Sequence, residues 1–464
     1  MTQSAAPARI VVVGAGYVGL VSGACLASLG HRVIVVDRDQ NRVDAVNAGA
    51  SPLHEPGLTE MLQSLRRDGR LTAGTDLAGA VAAADLAIIA VGTPGDGDRI
   101  DLRQVEGAAR EIGAAIANRT DRFTIIVKST VVPGTTDTVV RAAIEDGSGK
   151  AAGDFGLAMN PEFLREGSAV ADFMDPDRIV VGGWDNASVD AVMGLYDGFT
   201  CPKLRTNLRN AELIKYASNS LLATMVSFSN EIAGLCEAMP GTDVDVVMSG
   251  VHHDRRLMPI VDGKPVRPGI LSYLMAGAGF GGSCLPKDVN ALRMFARGID
   301  APSPLLDAVM TVNQARPERV LDLLSKALGG LAGRKVALLG LAFKPDTDDL
   351  RDSPALATLQ RLREAGADVR AYDPIVSKLA PASVTDLCRT CLDAAEALEA
   401  ADAAVIATAW PEFAALDWTA LAPRMAQAIV VDGRNLLSGT TLPKTLTYLP
   451  IGQAIEPGTE GAAA

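Results

Sequence analysis

The chain has 464 residues, 48% of them hydrophobic and 21% charged, and carries a formal net charge of −12. That length exceeds what one hydrophobic core supports, so a soluble α/β protein of two or three domains is predicted. The acidic balance argues against nucleic acid and anionic membrane as partners, and apolar runs such as Ile10–Val13, Leu86–Val91 and Ile125–Val127 are too short to cross a bilayer. MTQSAAPA at the start lacks a basic segment followed by an apolar one, so a cytoplasmic location is expected. Six dispersed cysteines make no disulfide framework and are predicted to be free thiols; Cys388 and Cys391 form a lone CxxC that reads as structural. No metal centre is expected. With four histidines in all, His31, His54, His252 and His253, proton transfer falls to Lys, Asp, Glu or ordered water unless one of them lies in the site.

In chain order, the first predicted strand is Arg9–Val13. Gly14-Ala15-Gly16-Tyr17-Val18-Gly19, an apolar helix to Leu29, and a strand over His31–Val36 ending in Asp37 follow it. Strand, GxGxxG, helix, strand and acid together are the dinucleotide fingerprint. Gly14, Gly16 and Gly19 let backbone N–H groups approach a pyrophosphate, and Asp37 accepts from ribose hydroxyls and repels a 2′-phosphate, which favours NAD over NADP. Arg38 and Arg42 blunt that preference, since either can neutralise such a phosphate. Strands predicted over Leu86–Val91 and Phe123–Lys128 run into Thr93 and Ser129-Thr130 at the carboxyl edge, where ligands of open parallel sheets bind.

Asn160-Pro161 reads as a helix cap and first position, which places Glu162 and Glu166 as acids of a first turn. From Asn210 to Met239 a helical pattern of roughly thirty residues predicts an element some 45 Å long, linking domains and supporting subunit contact. Lys215 and Asn219 share one face of it, and Asn230 falls on that face three turns later. Such a stripe is either plain solvent exposure or a wall that stabilises an oxyanion.

Gly279–Asp288, reading GFGGSCLPKD, puts Cys284 where a loop turns into a helix that stops at Gly298, with Pro286 as its first position. Free N–H groups and the helix dipole favour a thiolate there. Lys287 supplies a charge for an oxyanion, and Asp288 a carboxylate that orients or deprotonates water. A second nucleotide-fold half begins with Arg334–Gly340. It continues through a helix after Pro354, a strand over Asp368–Tyr372, and strands over Ala403–Thr408 and Ala428–Asp432. It lacks GxGxxG and carries Phe343-Lys344 instead. Glu456–Ala464 reads as a disordered tail.

GAGYVG, NPEFLREG, NAELIKYASN, GFGGSCLPKD and FKPDTDDLRDSP, in this order, resemble the UDP-glucose/GDP-mannose dehydrogenase family over nearly the whole chain. The resemblance implies two Rossmann-like domains joined by a long central helix and a helical dimerisation region. In this chain that gives an NAD-binding domain over 1–205, a central region with the cysteine loop over 206–305, and a nucleotide-sugar domain over 306–464. It implies a homodimer that oxidises the C6 alcohol of a nucleotide sugar to a carboxylate with two NAD+ per turnover. Such chemistry needs a nucleophile, because the aldehyde formed midway has no second hydroxyl; a thiohemiacetal on Cys284 supplies one, and the thioester that results is hydrolysed.

By the same resemblance Lys215, Asn219 and Asp288 act around the C6 oxygen and the hydrolytic water, with Thr130 nearby. Glu162 helps water attack, and Glu166 contacts substrate and cofactor. Tyr17 and Val18 join the fingerprint glycines at NAD, which Lys287 and Arg351 also reach; an Arg-Asp surface network is the plain alternative for TDDLRDSP. Asn230, Gly281 and Lys344 hold substrate. Met258–Gly269 departs from the family as an insertion. Ser272–Gly277, with Tyr273 and Leu274, stands where a hexose-gripping loop belongs but lacks its proline, and Arg256 is the arginine that crosses to a partner's substrate. DRIVVGG (Asp177–Gly183) is similar to the UDP-glucose branch, whereas CLPKDVNAL and IEDGSGK are similar to the GDP-mannose branch. The implied substrate is therefore UDP-glucose, with GDP-mannose or a UDP-N-acetylhexosamine as alternatives. A two-electron hydroxyacid-type dehydrogenase or a silent NAD-binding assembly protein would leave the cysteine motif idle.

Overall fold

The computed structural model describes residues 7–96 and 99–454. The predicted tail beyond Glu456 and the first six residues lie outside them. Arg9–Val13, Leu86–Ile89 and Thr124–Val127 each carry four buried residues, so both strand faces are covered and the apolar run is continuous rather than alternating. A fully buried Val, Ile or Leu contributes about 1.5–3 kcal/mol.

The chain divides into two compact units, one of residues 1–218 with 294–300, the other of 219–293 with 301–464. The first holds an eight-stranded sheet in the order Lys203–Asn207, Ile179–Gly183, Gly156–Met159, Thr124–Val127, Leu86–Ile89, Arg9–Val13, Arg32–Val36, Leu71–Gly74. Its pairings are parallel except between Gly156–Met159 and Ile179–Gly183. Strand order reverses between Arg9–Val13 and Leu86–Ile89, and the loops leaving their carboxyl ends form the crevice where such sheets take ligands. The second unit contains a six-stranded parallel sheet in the order Arg389–Thr390, Asp368–Tyr372, Lys335–Leu339, Ala403–Ile406, Ile429–Asp432, Thr447–Pro450.

The two sheets repeat one another in detail. Gly14 and Gly340 each follow the first strand with positive φ (107° and 98°) and donate at 2.7 Å to the last carbonyl of the second strand, Val36 or Tyr372. The next residue after each second strand is an aspartate whose carboxylate accepts from the loop after the first: Asp37 from Ala15 at 2.6 Å, Asp373 from Leu341 at 2.9 Å and Ala342 at 3.1 Å. The copies differ in what remains. Asp373 is fully buried and also takes the Trp410 indole and two further backbone N–H groups, so it has no capacity left for a ribose.

The long helix is Leu208–Ala238, and the cysteine helix is Leu285–Gly298. The latter begins one residue before Pro286, which is therefore second in the helix rather than first. No helix starts at Asn160-Pro161: residues 161–165 are irregular, and the next helix is Ala169–Met174. Asn160 fails as a cap because its side chain is consumed elsewhere, by Lys128, Tyr196 and Val180. The insertion contains an exposed hairpin, Ile260–Val261 paired with Lys264–Pro265, and its two-residue turn at Asp262 and Gly263 has both φ positive.

Candidate active site

In the first unit the fingerprint loop fits a bound dinucleotide. A Cβ on Gly14 would lie 2.7 Å from the Ala90 carbonyl, and one on Gly19 would lie 1.9 Å from the Gly14 carbonyl, so both are held to glycine by backbone contact. A Cβ on Gly16 would meet nothing within 4 Å; this is the open approach that a pyrophosphate needs at a helix N-terminus. Val18 and Tyr17 sit half-buried in the first turn of the helix Tyr17–Ser28. The Tyr17 hydroxyl donates to Glu55 and accepts from Gly167 N–H at 3.0 Å. Burial first, and then the hydrogen bond to Glu55 and its charge, push its pKa up. Glu166 lies close enough for its charge to act on the same hydroxyl. Asp37 accepts from Ala15 and Asp39 N–H, and Arg42 stands 3.8 Å from its carboxylate, whereas Arg38 pairs with Glu111. Thr93 and Thr130, at two strand ends, are joined by a Thr93 hydroxyl bond to the Thr130 carbonyl at 2.9 Å.

The same unit brings Glu162 and Lys215 together: Nζ to Oε1 is 3.0 Å, and both are nearly solvent-free. Burial alone would raise the Glu162 pKa, but the Lys215 ammonium and the Leu164 N–H bond (2.6 Å) hold it below the ordinary carboxylate range. Two residues to which the sequence reading gave no place in the site lie near this pair. Lys128 and Asn160 are buried at adjacent strand ends and joined at 3.0 Å. Each directly follows a strand, which is the signal that would have found them.

In the second unit Cys284 stands immediately before its helix, exposed, and its carbonyl accepts the first helical bond from Asp288 at 2.8 Å. Asp288 is buried, with one oxygen on Asn219 Nδ2 at 2.6 Å and the other on Lys287 Nζ at 2.6 Å. The structure thus assembles Cys284, Lys287, Asp288 and Asn219. The loop before them rests on FKPDTDDLRDSP: Gly282 N–H donates to Arg351 O at 2.9 Å, and a Cβ on Gly281 would meet the Asp352 carbonyl at 2.2 Å, which only glycine avoids. In that motif Asp346 and Asp352 hold positive φ, Lys344 is half-buried with its ammonium 5.8 Å from the Phe343 ring centroid, and Arg351 forks onto Asp349 at 2.8 and 2.9 Å. The Arg-Asp network is therefore present.

Asn230 is buried; its Oδ1 accepts from Gly277 at 2.8 Å, and its Nδ2 has no hydrogen-bond partner. Leu274 is buried with its carbonyl on His252, and Tyr273 is half-buried at the end of the short helix Gly269–Tyr273. Arg256 is exposed, with its guanidinium on Asp254. Arg434, also unforeseen, follows the strand Ile429–Asp432 and binds the carbonyls of Ala407 (2.8 Å) and Gly279 (3.0 Å); burial lowers its pKa to about 10. All six cysteines are free, and Cys388 and Cys391 are buried as predicted for structural thiols. Among the described residues there is no metal-type cluster and no helix long and apolar enough to span a membrane.

Three models of the UDP-glucose/GDP-mannose dehydrogenase family match in order: the NAD binding domain over 8–200, the central domain over 209–315 and the UDP binding domain over 337–439. The chain belongs to this family. Its cofactor is NAD, as the Gly14–Gly19 loop and Asp37 fit. The chain is similar to a UDP-glucose 6-dehydrogenase of Rhizobium meliloti, 43% identical over 96% of this chain and 99% of that one. It is 44% identical to a GDP-mannose 6-dehydrogenase of Pseudomonas putida, over 79% of this chain and 80% of that one. Among solved structures it resembles a UDP-glucose dehydrogenase from Pyrobaculum islandicum, with TM-score 0.88 and 38% identity, covering 98% of this chain and 100% of that one.

Proposed function

We propose that this chain is an NAD-dependent nucleotide-sugar 6-dehydrogenase that takes UDP-glucose to UDP-glucuronate in a four-electron oxidation. The observation that carries the substrate choice is coverage: likeness to UDP-glucose enzymes runs the length of the chain, whereas likeness to the GDP-mannose enzyme spans 79% of it. NAD, when bound, supplies the hydride acceptor. The chain's own residues do the rest. Cys284 adds through sulfur to the C6 aldehyde, so that the carbon can be oxidised again to a thioester. Lys287 and Asn219 fix the Asp288 carboxylate, which accepts or returns a proton beside the thiol loop. Glu162, held ionised by Lys215, takes the proton of the water whose oxygen adds to the thioester carbon, as Cys284 leaves as thiolate.

Lys215, Asn219 and Thr130 are assigned to the C6 oxygen, and Glu166, Lys287 and Arg351 to the cofactor. Asn230, Gly281, Tyr273, Leu274 and Lys344 are assigned to the substrate. The unpaired Nδ2 of Asn230 supports its place there. The protein is read as a homodimer: Leu221, Phe228 and Leu235 lie seven apart along one face of the long helix and are 55%, 49% and 60% exposed, an apolar stripe that a second copy would cover. A cytoplasmic location keeps its six free thiols reduced. Initial rates with UDP-glucose, GDP-mannose and UDP-N-acetylmannosamine test the assignment. The highest kcat/KM is expected for UDP-glucose, and a higher value for either other sugar would move the chain to that branch.

A further inference from the structure

A second buried lysine lies close enough to the Lys215–Glu162 pair for their charges to act on one another. Lys128 follows the strand Thr124–Val127, is 4% exposed, and donates from Nζ to Asn160 Oδ1 at 3.0 Å. The same oxygen accepts the Tyr196 hydroxyl at 2.7 Å, Asn160 Nδ2 donates to Val180 O at 2.8 Å, and the Phe173 ring centroid lies 5.9 Å from Nζ. The ammonium is thus buried, with the neutral side-chain oxygen of Asn160 as its acceptor.

Besides Tyr196, from the short helix Gly194–Tyr196, the charged and titratable groups that act on it come from three elements. Glu162 comes from the segment after Gly156–Met159, Lys215 from the long helix, and Cys25 from the helix Tyr17–Ser28. Burial pushes the Cys25 thiol up to about 12, so it is neutral across the working range, and it raises Tyr196 as well, so that hydroxyl keeps its proton. Lys215 is paired and Glu162 is ionised. The charge facing Glu162 therefore turns on one proton, that of Lys128, whose pKa burial lowers to about 8, with Lys215 acting in the same direction and Glu162 opposing.

We propose that Lys128 is a positioning residue that sets the basicity of Glu162. With its proton on, two ammonium groups face one carboxylate and make it a weak base. With the proton off, only Lys215 remains, and Glu162 draws the proton of water more strongly. This rests on Glu162 being the base for hydrolysis.

The test is the pH dependence of acid release in a single turnover of the full-length enzyme with UDP-glucose and NAD+. Wild type is expected to rise about fivefold between pH 7 and 9. Lys128→Met, which has no charge to lose, is expected to be flat near the upper plateau. Lys128→Arg, which keeps its charge, is expected to be flat near the lower one. KM for both substrates should stay within about twofold in each variant, a split that a general packing defect would not produce. A wild-type rise in either folded variant overturns the proposal; should Lys128→Met not fold, Lys128→Arg decides on the same criterion. Glu162→Gln separates the two readings. If it still releases acid at the wild-type rate, the base assignment falls. If it accumulates a Cys284 adduct while the Lys128 variants keep the rise, the Lys128 proposal alone falls.

Discussion

Asn219 donates to Asp288 at 2.6 Å, joining two buried side chains that are 69 residues apart in the chain. Lys287 holds the other carboxylate oxygen, so Asp288 is aimed from both sides. Asp288→Asn is expected to lower kcat about 100-fold or more, the scale of a lost acid–base group. Asn219→Ala should lower it about tenfold and cost about 1–3 kcal/mol of stability, since it leaves a buried oxygen unpaired. Steady-state kinetics with thermal melts check both; wild-type kcat in Asp288→Asn would remove it from the chemistry.

Cofactor choice follows from Asp37, whose carboxylate Ala15 and Asp39 N–H groups fix in place. NADP+ is expected to be the poorer oxidant by about 2 kcal/mol or more, from the charge clash at the 2′ position. Arg42 is near enough to soften this, while Arg38 is engaged by Glu111. Equal kcat/KM for the two cofactors would contradict the assignment, and Asp37→Asn should narrow the gap.

Glu212, in the second turn of the long helix, accepts from Gly134 N–H at 2.6 Å and Thr136 N–H at 2.8 Å and so pins the loop that follows Thr130. Burial raises its pKa from 4.5 to about 7. Because the folded value exceeds the unfolded one, its stabilising contribution is full below about pH 4.5 and is lost as pH rises through about 7. The Tm of wild type minus that of Glu212→Gln should therefore be larger at pH 5.5 than at pH 8. An equal difference at both would refute the linkage.

Arg256 is exposed beside the inserted hairpin with its guanidinium on Asp254, and the family resemblance assigns it to a partner subunit's substrate. Arg256→Ala is expected to weaken UDP-glucose binding about tenfold or more while leaving NAD+ affinity alone. Arg255→Ala serves as the control and should matter less. Unchanged titrations for Arg256→Ala would place it on a solvated surface.

Four strands of each sheet were legible in the sequence as short apolar runs, whereas Leu71–Gly74, Gly156–Met159, Ile179–Gly183 and Lys203–Asn207 of the first sheet and Arg389–Thr390 and Thr447–Pro450 of the second were not. Arg9–Val13 and Asp368–Tyr372 match to the residue, and Leu86–Val91 and Phe123–Lys128 differ only at fraying ends. Cys284, Lys287 and Asp288 were legible because they sit within one helical turn. What was not legible depends on partners far along the chain. Asn160 carries a local capping signal, yet its amide is spent on Lys128 and Tyr196, contacts that no local pattern encodes. Glu212 and Arg434 stayed hidden for the same reason, since each is defined by backbone groups distant in the chain. The repeat of Gly14 and Asp37 in Gly340 and Asp373 was hidden too: the second copy keeps the backbone geometry and drops the glycine fingerprint.

The central claim is a four-electron oxidation through Cys284, and counting NADH against UDP-glucose consumed tests it most directly. The wild-type enzyme should form two NADH for each UDP-glucuronate, and Cys284→Ser should bind both ligands yet form no acid. One NADH per sugar, or wild-type acid yield from Cys284→Ser, would contradict it.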